Sequence, residues 1–370
     1  MKETNIIPVN LGEDSYNIHI GMNVLDQAGT ILNATGAYTS AVVLTHPKLV
    51  QLYAEPVRTS LERVGIRTAI RTTPSGERYK TLRTMEKIYD QLLSLGVDRK
   101  SLLITVGGGV IGDMGGFASA IWMRGIAFAQ VPTTLLAQVD ASVGGKTGVD
   151  LPKGKNLVGA FHQPRAVLID PRTLGTLPAR ELRSGLAEML KHGIICDKDY
   201  FRSLIFDTPR LLARDSDRLI PAIKRSCEIK ADVVSRDERE KGLRAVLNYG
   251  HTIGHAIEAL TGYKRYRHGE AVAIGMVTES IISEEMHLTG NETTEEIIRS
   301  VQRSRLPWEF PRDLSIDEVL NATKRDKKQS GGKLTMALLE GVGSVRMVPD
   351  TPEAAVLSAL KRHIDLGANG

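Results

Sequence analysis

SLLITVGGGVIGDMGG, Ser101 to Gly116, is the stretch on which the fold turns. Its β-branched first half reads as a buried strand. That strand runs straight into Gly107, Gly109 and Gly112, which satisfy G-x-G-x-x-G, and a helical segment follows. Strand, glycine turn and helix in this order suit a diphosphate, because glycines let backbone N–H groups approach an anion at a helix N-terminus. A complete dinucleotide fingerprint also needs an acidic residue about 20 positions further on. There the chain reads IAFAQVPTT, Ile126 to Thr134, so the standard fingerprint fails. GGKT at Gly144 to Thr147 is no triphosphate loop either, since G-x-x-x-x-G-K-[ST] requires glycine where Asp140 stands.

Outward from this stretch, short apolar runs alternate with amphipathic ones. AVVLTH (Ala41 to His46), Pro47 to Val64, IRTAIRT (Ile66 to Thr72) and Tyr79 to Leu95 precede it; IAFAQVPTT and RAVLID (Arg165 to Asp170) follow as further strands. Strand and helix in alternation is the sequence form of a parallel α/β sheet. From Pro178 the period becomes helical, in ARELRSGLAEMLKHGII, RLIPAIKRSCEIKADVV, TIGHAIEAL and GEAVAIGMVTESIISEEM. The reading is an α/β nucleotide-binding domain over residues 1–177 and an all-α domain over 178–370.

The chain has 370 residues, 42% hydrophobic and 25% charged, which suits two domains and excludes disordered, collagenous and disulfide-rich classes. Cys196 and Cys227 are expected as free thiols of a reducing compartment. The opening MKETNIIPVNLGEDSYNI lacks the apolar core of a signal peptide, and no run reaches the roughly 20 apolar residues of a membrane span. A cytoplasmic protein without membrane contact is expected. Lys plus Arg number 48 against 43 acidic residues, an excess too small and too dispersed for a nucleic-acid partner but suited to a small anionic substrate. KRDKK, Lys324 to Lys328, reads as a solvated loop. Beyond Gly331 and Gly332, Lys333 is set to reach over a bound anion.

Three of the nine histidines fall between His251 and His268. His251 and His255 are four apart and share a helix face; His268 opens the next helix, and LAEMLKHG supplies Glu188 with Lys191 and His192 nearby. Two imidazoles and a carboxylate leave a divalent metal open positions, as catalysis requires. Spacing alone names His251 and His255 as the pair and leaves the carboxylate open between Glu188 and Glu258.

GGGVIGDMGGFASAIWMRGI, QVPTTLLAQVDASVGGKTGVD, GKNLVGAFHQP, GLAEMLKHG, DEREKGLRAVLNYGHTIGHAIE and HGEAVAIGM, in this order, resemble the 3-dehydroquinate synthase family. The resemblance runs from about Ser75 to Gly275, with Lys333 downstream. It implies conversion of 3-deoxy-D-arabino-heptulosonate 7-phosphate to 3-dehydroquinate and phosphate, with NAD reduced and regenerated in each turnover and zinc, or cobalt, holding the oxidised oxygen. The implied steps are oxidation, phosphate elimination, re-reduction, ring opening and aldol closure, in an active site between the two domains. It implies Glu188, His251 and His268 as metal ligands, and His255 as a substrate contact.

The resemblance also distributes the other roles. NAD contacts would fall on Ser75, Gly76, Glu77, Arg78, Tyr79 and Lys80, and on Gly109, Val110, Ile111, Gly112 and Asp113. Thr133, Thr134, Lys146 and Lys155, then Thr173, Leu174, Gly175 and Thr176, would complete them. The phosphate pocket would use Lys146, Asn156, Asn248, His255 and Lys333, joined by Arg124 from the second subunit of a homodimer. Lys230 and Arg244 would hold the substrate carboxylate, an anion that arginine's planar fork fits. Asp140 and Lys191 would orient ring hydroxyls, and His255 would handle protons beside a phosphate that itself acts as base. His46 departs from the pattern, standing where the family carries Asp or Asn near the adenosine ribose. A metal-dependent polyol or alcohol dehydrogenase, and a sugar phosphate cyclase of another substrate, are the competing readings; both lack a need for the combined phosphate and carboxylate pocket.

Overall fold

The computed structural model describes residues 4–152, 154–329 and 334–368. The chain divides into two compact units: Met1–Leu177 with Leu219–Arg239, and Pro178–Arg218 with Glu240–Gly370.

The first unit is built on a seven-stranded sheet. Its strands are β1 (Asn5–Val9), β2 (Tyr16–Ile20), β3 (Ala41–Thr45), β4 (Thr68–Thr72), β5 (Leu102–Gly107) and β6 (Ala127–Pro132), with β9 (Ala166–Ile169) after a separate hairpin of β7 (Lys146–Leu151) and β8 (Gly154–Phe161). The order across the sheet is β1-β2-β9-β6-β5-β3-β4, with β1 antiparallel to β2 and the remaining pairs parallel. Side chains alternate between two cores, which is why the central strands read as nearly continuous apolar runs. Val43, Ile104 and Val106 pack with Leu32, Val57 and Leu61 of helices α1 (Ala28–Asn33) and α2 (Glu55–Arg63). On the opposite face Val42, Leu44 and Leu103 pack with Ile88, Met114 and Phe117 of α3 (Leu82–Ser94) and α4 (Gly109–Ile121).

The chain leaves β3 for β4 on one side, then returns past β3 to β5 and β6 on the other. The carboxyl ends of β3 and β5 therefore flank the crevice where open α/β sheets take ligands. The glycine turn follows β5 directly. Gly115 lets α4 lie against the sheet, because a Cβ there would stand 2.1 Å from Thr105 Cγ2. GGKT turns into strand β7 rather than a helix, which agrees with its rejection as a triphosphate loop.

The second unit is mostly helical: α5 (Ala179–Cys196), α6 (Lys198–Leu212), α8 (His251–Leu260), α9 (His268–Glu285), α10 (Asn291–Arg303), α11 (Ile316–Gln329) and α12 (Glu353–Ala368). Helix α9 is buried without a break from Gly269 to Ser283 and is flanked by α5, α8, α10 and α12, so it is the central rod of this unit. A Cβ on Gly275 would lie 2.0 Å from the Gly250 carbonyl, and only glycine permits that approach of α9 to the start of α8.

Three expectations need correction. The second unit is not all-α, since β10 (Met336–Gly341) and β11 (Ser344–Val348) form a hairpin whose turn carries Gly341 and Gly343 at positive φ. The basic run Lys324–Lys328 continues α11 instead of forming a loop. A single cut after Leu177 is too simple, because Leu219–Arg239, most of helix α7 (Ser216–Arg236), belongs with the first unit. There Cys227 Sγ donates to the Gln138 carbonyl at 3.3 Å, and Ser235 Oγ accepts from Asn10 N at 3.1 Å. Cys196 is exposed and Cys227 buried, and burial pushes the Cys227 thiol up to about 12. No helix among the described residues is long and apolar enough to cross a membrane.

His363 of α12 is fully buried: its Nε2 lies 2.7 Å from the Trp308 carbonyl and its Nδ1 2.9 Å from Thr278 Oγ1. Burial lowers it from 6.5 to about 4. In the unfolded chain it takes up a proton below 6.5, whereas in the fold it does so only near 4. Its contribution is therefore intact above pH 6.5 and lost as pH falls toward 4, about 3 kcal/mol in all. The urea midpoint of His363→Gln should fall less steeply between pH 7 and 4.5 than that of the parent; parallel slopes would refute the assignment.

Candidate active site

The first unit carries a polar node beside the glycine turn. Lys80, buried at the end of the SGERYK segment, places Nζ 2.6 Å from Asp113 Oδ2 on the first turns of α4 and 2.5 Å from Asn156 Oδ1 on β8. Burial pushes the Asp113 carboxyl up. For Lys80, burial is outweighed by Asp113 and Glu77, which hold its ammonium above the ordinary range. Asn156 adopts φ of 54° and donates its N–H to Asp150 Oδ1 at 2.9 Å, and Asp150 N donates to the Lys80 carbonyl at 2.8 Å. Hairpin, loop and helix are thus tied together through Lys80.

Helix α4 begins at Gly109 with Gly108 as N-cap and no side-chain cap, so Gly109, Val110 and Ile111 present its opening turn in backbone form. Thr133 N donates to the Gly107 carbonyl at 2.9 Å, and Thr134 Oγ1 accepts from Ala137 N at 3.1 Å, placing both threonines at the end of β6 beside the turn. Glu77 pairs with Lys155 at 3.3 Å, and Arg78 lies over the Tyr79 ring at 4.7 Å. Ser75 and Gly76, both exposed, lead into this turn. Thr173 to Thr176 form a 3₁₀ turn after β9, with Thr173 Oγ1 accepting from Gln138 Nε2 at 3.0 Å, Thr176 Oγ1 2.6 Å from Tyr53 Oη, Leu174 buried, and open space over Gly175. His46 follows the carboxyl end of β3, its Nδ1 3.1 Å from the Thr73 carbonyl, with burial lowering its pKa.

Also in this unit, Lys230 Nζ pairs with Asp140 Oδ1 at 2.6 Å and with the Asp140 carbonyl. Lys146 opens β7 and is exposed. Arg124 is exposed on a corner where Met123, Arg124 and Gly125 all take positive φ, 51°, 67° and 120°. Two consecutive non-glycine residues in that region store backbone strain.

In the second unit, α5, α8 and the start of α9 bring Glu188, His251 and His268 together with their ligand atoms all within 4.8 Å of one another. Glu188 has no exposed surface, and neither of its oxygens has a hydrogen bond of normal geometry. What faces it is Lys191 Nζ at 2.5 Å from Oε2, and His268 Nε2 and His251 Nε2 at 3.4 and 3.7 Å from Oε1. Burial opposes its charge, but Lys191 and the two imidazoles hold the carboxyl well below the usual range. Burial, reinforced by Lys191, lowers the His251 imidazole well below its ordinary range. A buried carboxylate paired with Lys191 on one oxygen and faced by two imidazole nitrogens on the other is a donor set that suits a divalent cation.

His255 is exposed one turn along α8, its ring centroid 5.1 Å from that of His251 and 5.9 Å from that of His268. With Glu258 and His268 it forms a second compact set of donors. Lys191 is buried, as is Arg244; Asn248 is exposed and donates to Glu240 Oε1 at 3.1 Å. Lys333 lies outside the described residues. One supporting residue escaped the sequence reading: Glu279 of α9, fully buried, accepts from Gly250 N at 2.6 Å and Ile253 N at 3.2 Å, capping α8 where His251 begins it. The available signal was a glutamate in the middle of a segment, Ala271 to Ile282, that otherwise carries no charged residue.

Residues 70–184 match the family model for the 3-dehydroquinate synthase N-terminal region, and residues 185–329 match that for its C-terminal region. A 3-dehydroquinate synthase of Geotalea uraniireducens is 49% identical over 91% of this chain and 94% of its own length. Among solved structures, a 2-epi-5-epi-valiolone synthase from Streptomyces hygroscopicus with NAD+ and Zn2+ bound superposes with a TM-score of 0.88 at 25% identity, covering 96% of this chain and 98% of the other. A 2-deoxy-scyllo-inosose synthase complexed with carbaglucose-6-phosphate, NAD+ and Co2+ gives 0.87 at 26% identity, covering 97% and 100%.

Proposed function

The chain belongs to the 3-dehydroquinate synthase family, and on that premise we propose how its residues divide the work. The enzyme is a phosphate-eliminating lyase that converts 3-deoxy-D-arabino-heptulosonate 7-phosphate to 3-dehydroquinate, using NAD and a divalent metal. When bound, NAD would supply reversible hydride transfer, and a divalent ion would supply Lewis-acid polarisation at the carbinol oxygen.

Glu188, His251 and His268 would hold the ion, with zinc as the native metal and cobalt as a substitute. The buried Glu188 carboxylate, facing two imidazole Nε2 atoms with all three ligand atoms within 4.8 Å of one another, is the observation that carries this assignment. The opening turn of α4 would take the NAD diphosphate, and the Lys80, Asp113 and Asn156 node would brace the loops around it. Thr133, Thr134 and the Thr173–Thr176 turn sit at strand ends, where hydroxyls and backbone amides reach a ligand. Asp140, with Lys230 against it, and Lys191 would position ring hydroxyls. Arg244 is suited to the carboxylate, and Asn248, His255, Asn156, Lys146 and Lys333 to the phosphate. The strained Arg124 corner would serve a second copy of the chain in a homodimer, and the cytoplasm is the proposed location.

The test is to supply the heptulosonate phosphate with catalytic NAD and zinc, following phosphate, carbocycle and NADH together. Equal phosphate and carbocycle with no net NADH is expected; NADH accumulating in step with substrate consumed would make the protein a dehydrogenase.

A further inference from the structure

His268 faces two carboxylates from opposite edges of its ring. Its Nε2 lies 3.4 Å from Glu188 Oε1, and its Nδ1 lies 3.3 Å from Glu258 Oε2. An imidazole has one nitrogen on each edge, so the two carboxylates cannot share the same atom. His251 is arranged alike but on a neutral partner, Nε2 toward Glu188 at 3.7 Å and Nδ1 3.1 Å from the Tyr249 carbonyl. In both rings Nδ1 is occupied by an acceptor and Nε2 converges on Glu188.

We propose that Glu258 is a positioning residue that binds no metal: it accepts the His268 Nδ1–H and thereby fixes Nε2 as the nitrogen given to the ion. This rests on the metal assignment above and resolves the choice between the two donor sets that share His268 in favour of the one containing Glu188. Glu258 is 6% exposed and sits on α8, ten residues before His268 and on the same helix as His251, so a single element sets both rings. The asymmetry has a chemical sense. A carboxylate behind one histidine raises that ring's basicity and strengthens it as a donor, while a carbonyl behind the other only orients it.

Cobalt(II) titration of the full-length apoprotein, wild type beside Glu258→Gln, tests this through visible ligand-field bands and through competition with a chelator. Glu258→Gln should keep the wild-type band pattern and lose about 10–100-fold in cobalt affinity, the usual effect of removing such a partner. Unchanged affinity overturns the proposal, and so does a changed band pattern, which would make Glu258 a ligand. If wild type takes up no cobalt, the metal assignment itself fails. Should Glu258→Gln not fold, nitrogen-15 NMR of histidine-labelled, zinc-loaded wild type decides. A protonated Nδ1 on His268 with Nε2 on the metal is expected, and the reverse tautomer refutes the role.

Discussion

Glu188→Ala and His268→Ala are each expected to purify with less than a tenth of the divalent ion per chain and to form no measurable carbocycle. The fully buried Glu188 is the only carboxylate in its donor set, and the His268 nitrogen facing it is fixed from behind. Removing either leaves two donors, too few for a stable site of this kind. A Lewis acid supplies several kcal/mol of charge stabilisation, so turnover should fall by at least about 10³-fold. Metal analysis decides the matter, and full occupancy in either variant would count decisively against the assignment. Glu188→Ala also leaves Lys191 buried beside a cavity with no counter-charge, so folding must be checked by circular dichroism before the metal content is read.

His255→Ala should do the opposite: keep the ion and lose the reaction. The residue is exposed next to the two proposed ligands without facing Glu188, which suits a group that meets substrate rather than metal. A positioned proton-handling or phosphate-binding imidazole typically accounts for about 10²–10⁴-fold in rate. The variant is therefore expected to retain near-wild-type zinc while kcat falls by that factor. Parallel loss of zinc and turnover would instead place the ion on His255, Glu258 and His268, the alternative donor set.

The parallel sheet was legible because β3, β5 and β6 are buried on both faces, so that almost every position is apolar and the few polar ones, Thr45, Thr105 and Gln130, are buried too. The hairpin of β7 and β8 was not. Its strands are half-exposed, interrupted by glycines and lysines, and carry no clean alternation. The basic run in α11 misled for a different reason. Its charges matched a solvated loop, while Val319, Leu320 and Thr323, buried just before it, set a helix that continues through Lys328. The metal cluster was half legible. Four-residue spacing put His251 and His255 on one face but could not say which ring turns inward. That choice is made by the Tyr249 carbonyl, the Glu258 carboxylate and the Glu279 cap, partners fixed by folding rather than by spacing.

The return of Leu219–Arg239 to the first unit means that the polypeptide passes between the two bodies three times. A gene truncated after codon 177 would encode a sheet without the helix that buries Cys227 against Gln138 and answers Asp140 with Lys230. On the ribosome, the amino-terminal body cannot finish until residue 239 has emerged, by which time about forty residues of the other body have already been made. The halves are thus coupled in their biogenesis, and modular exchange between relatives would have to carry the returning helix along with the sheet.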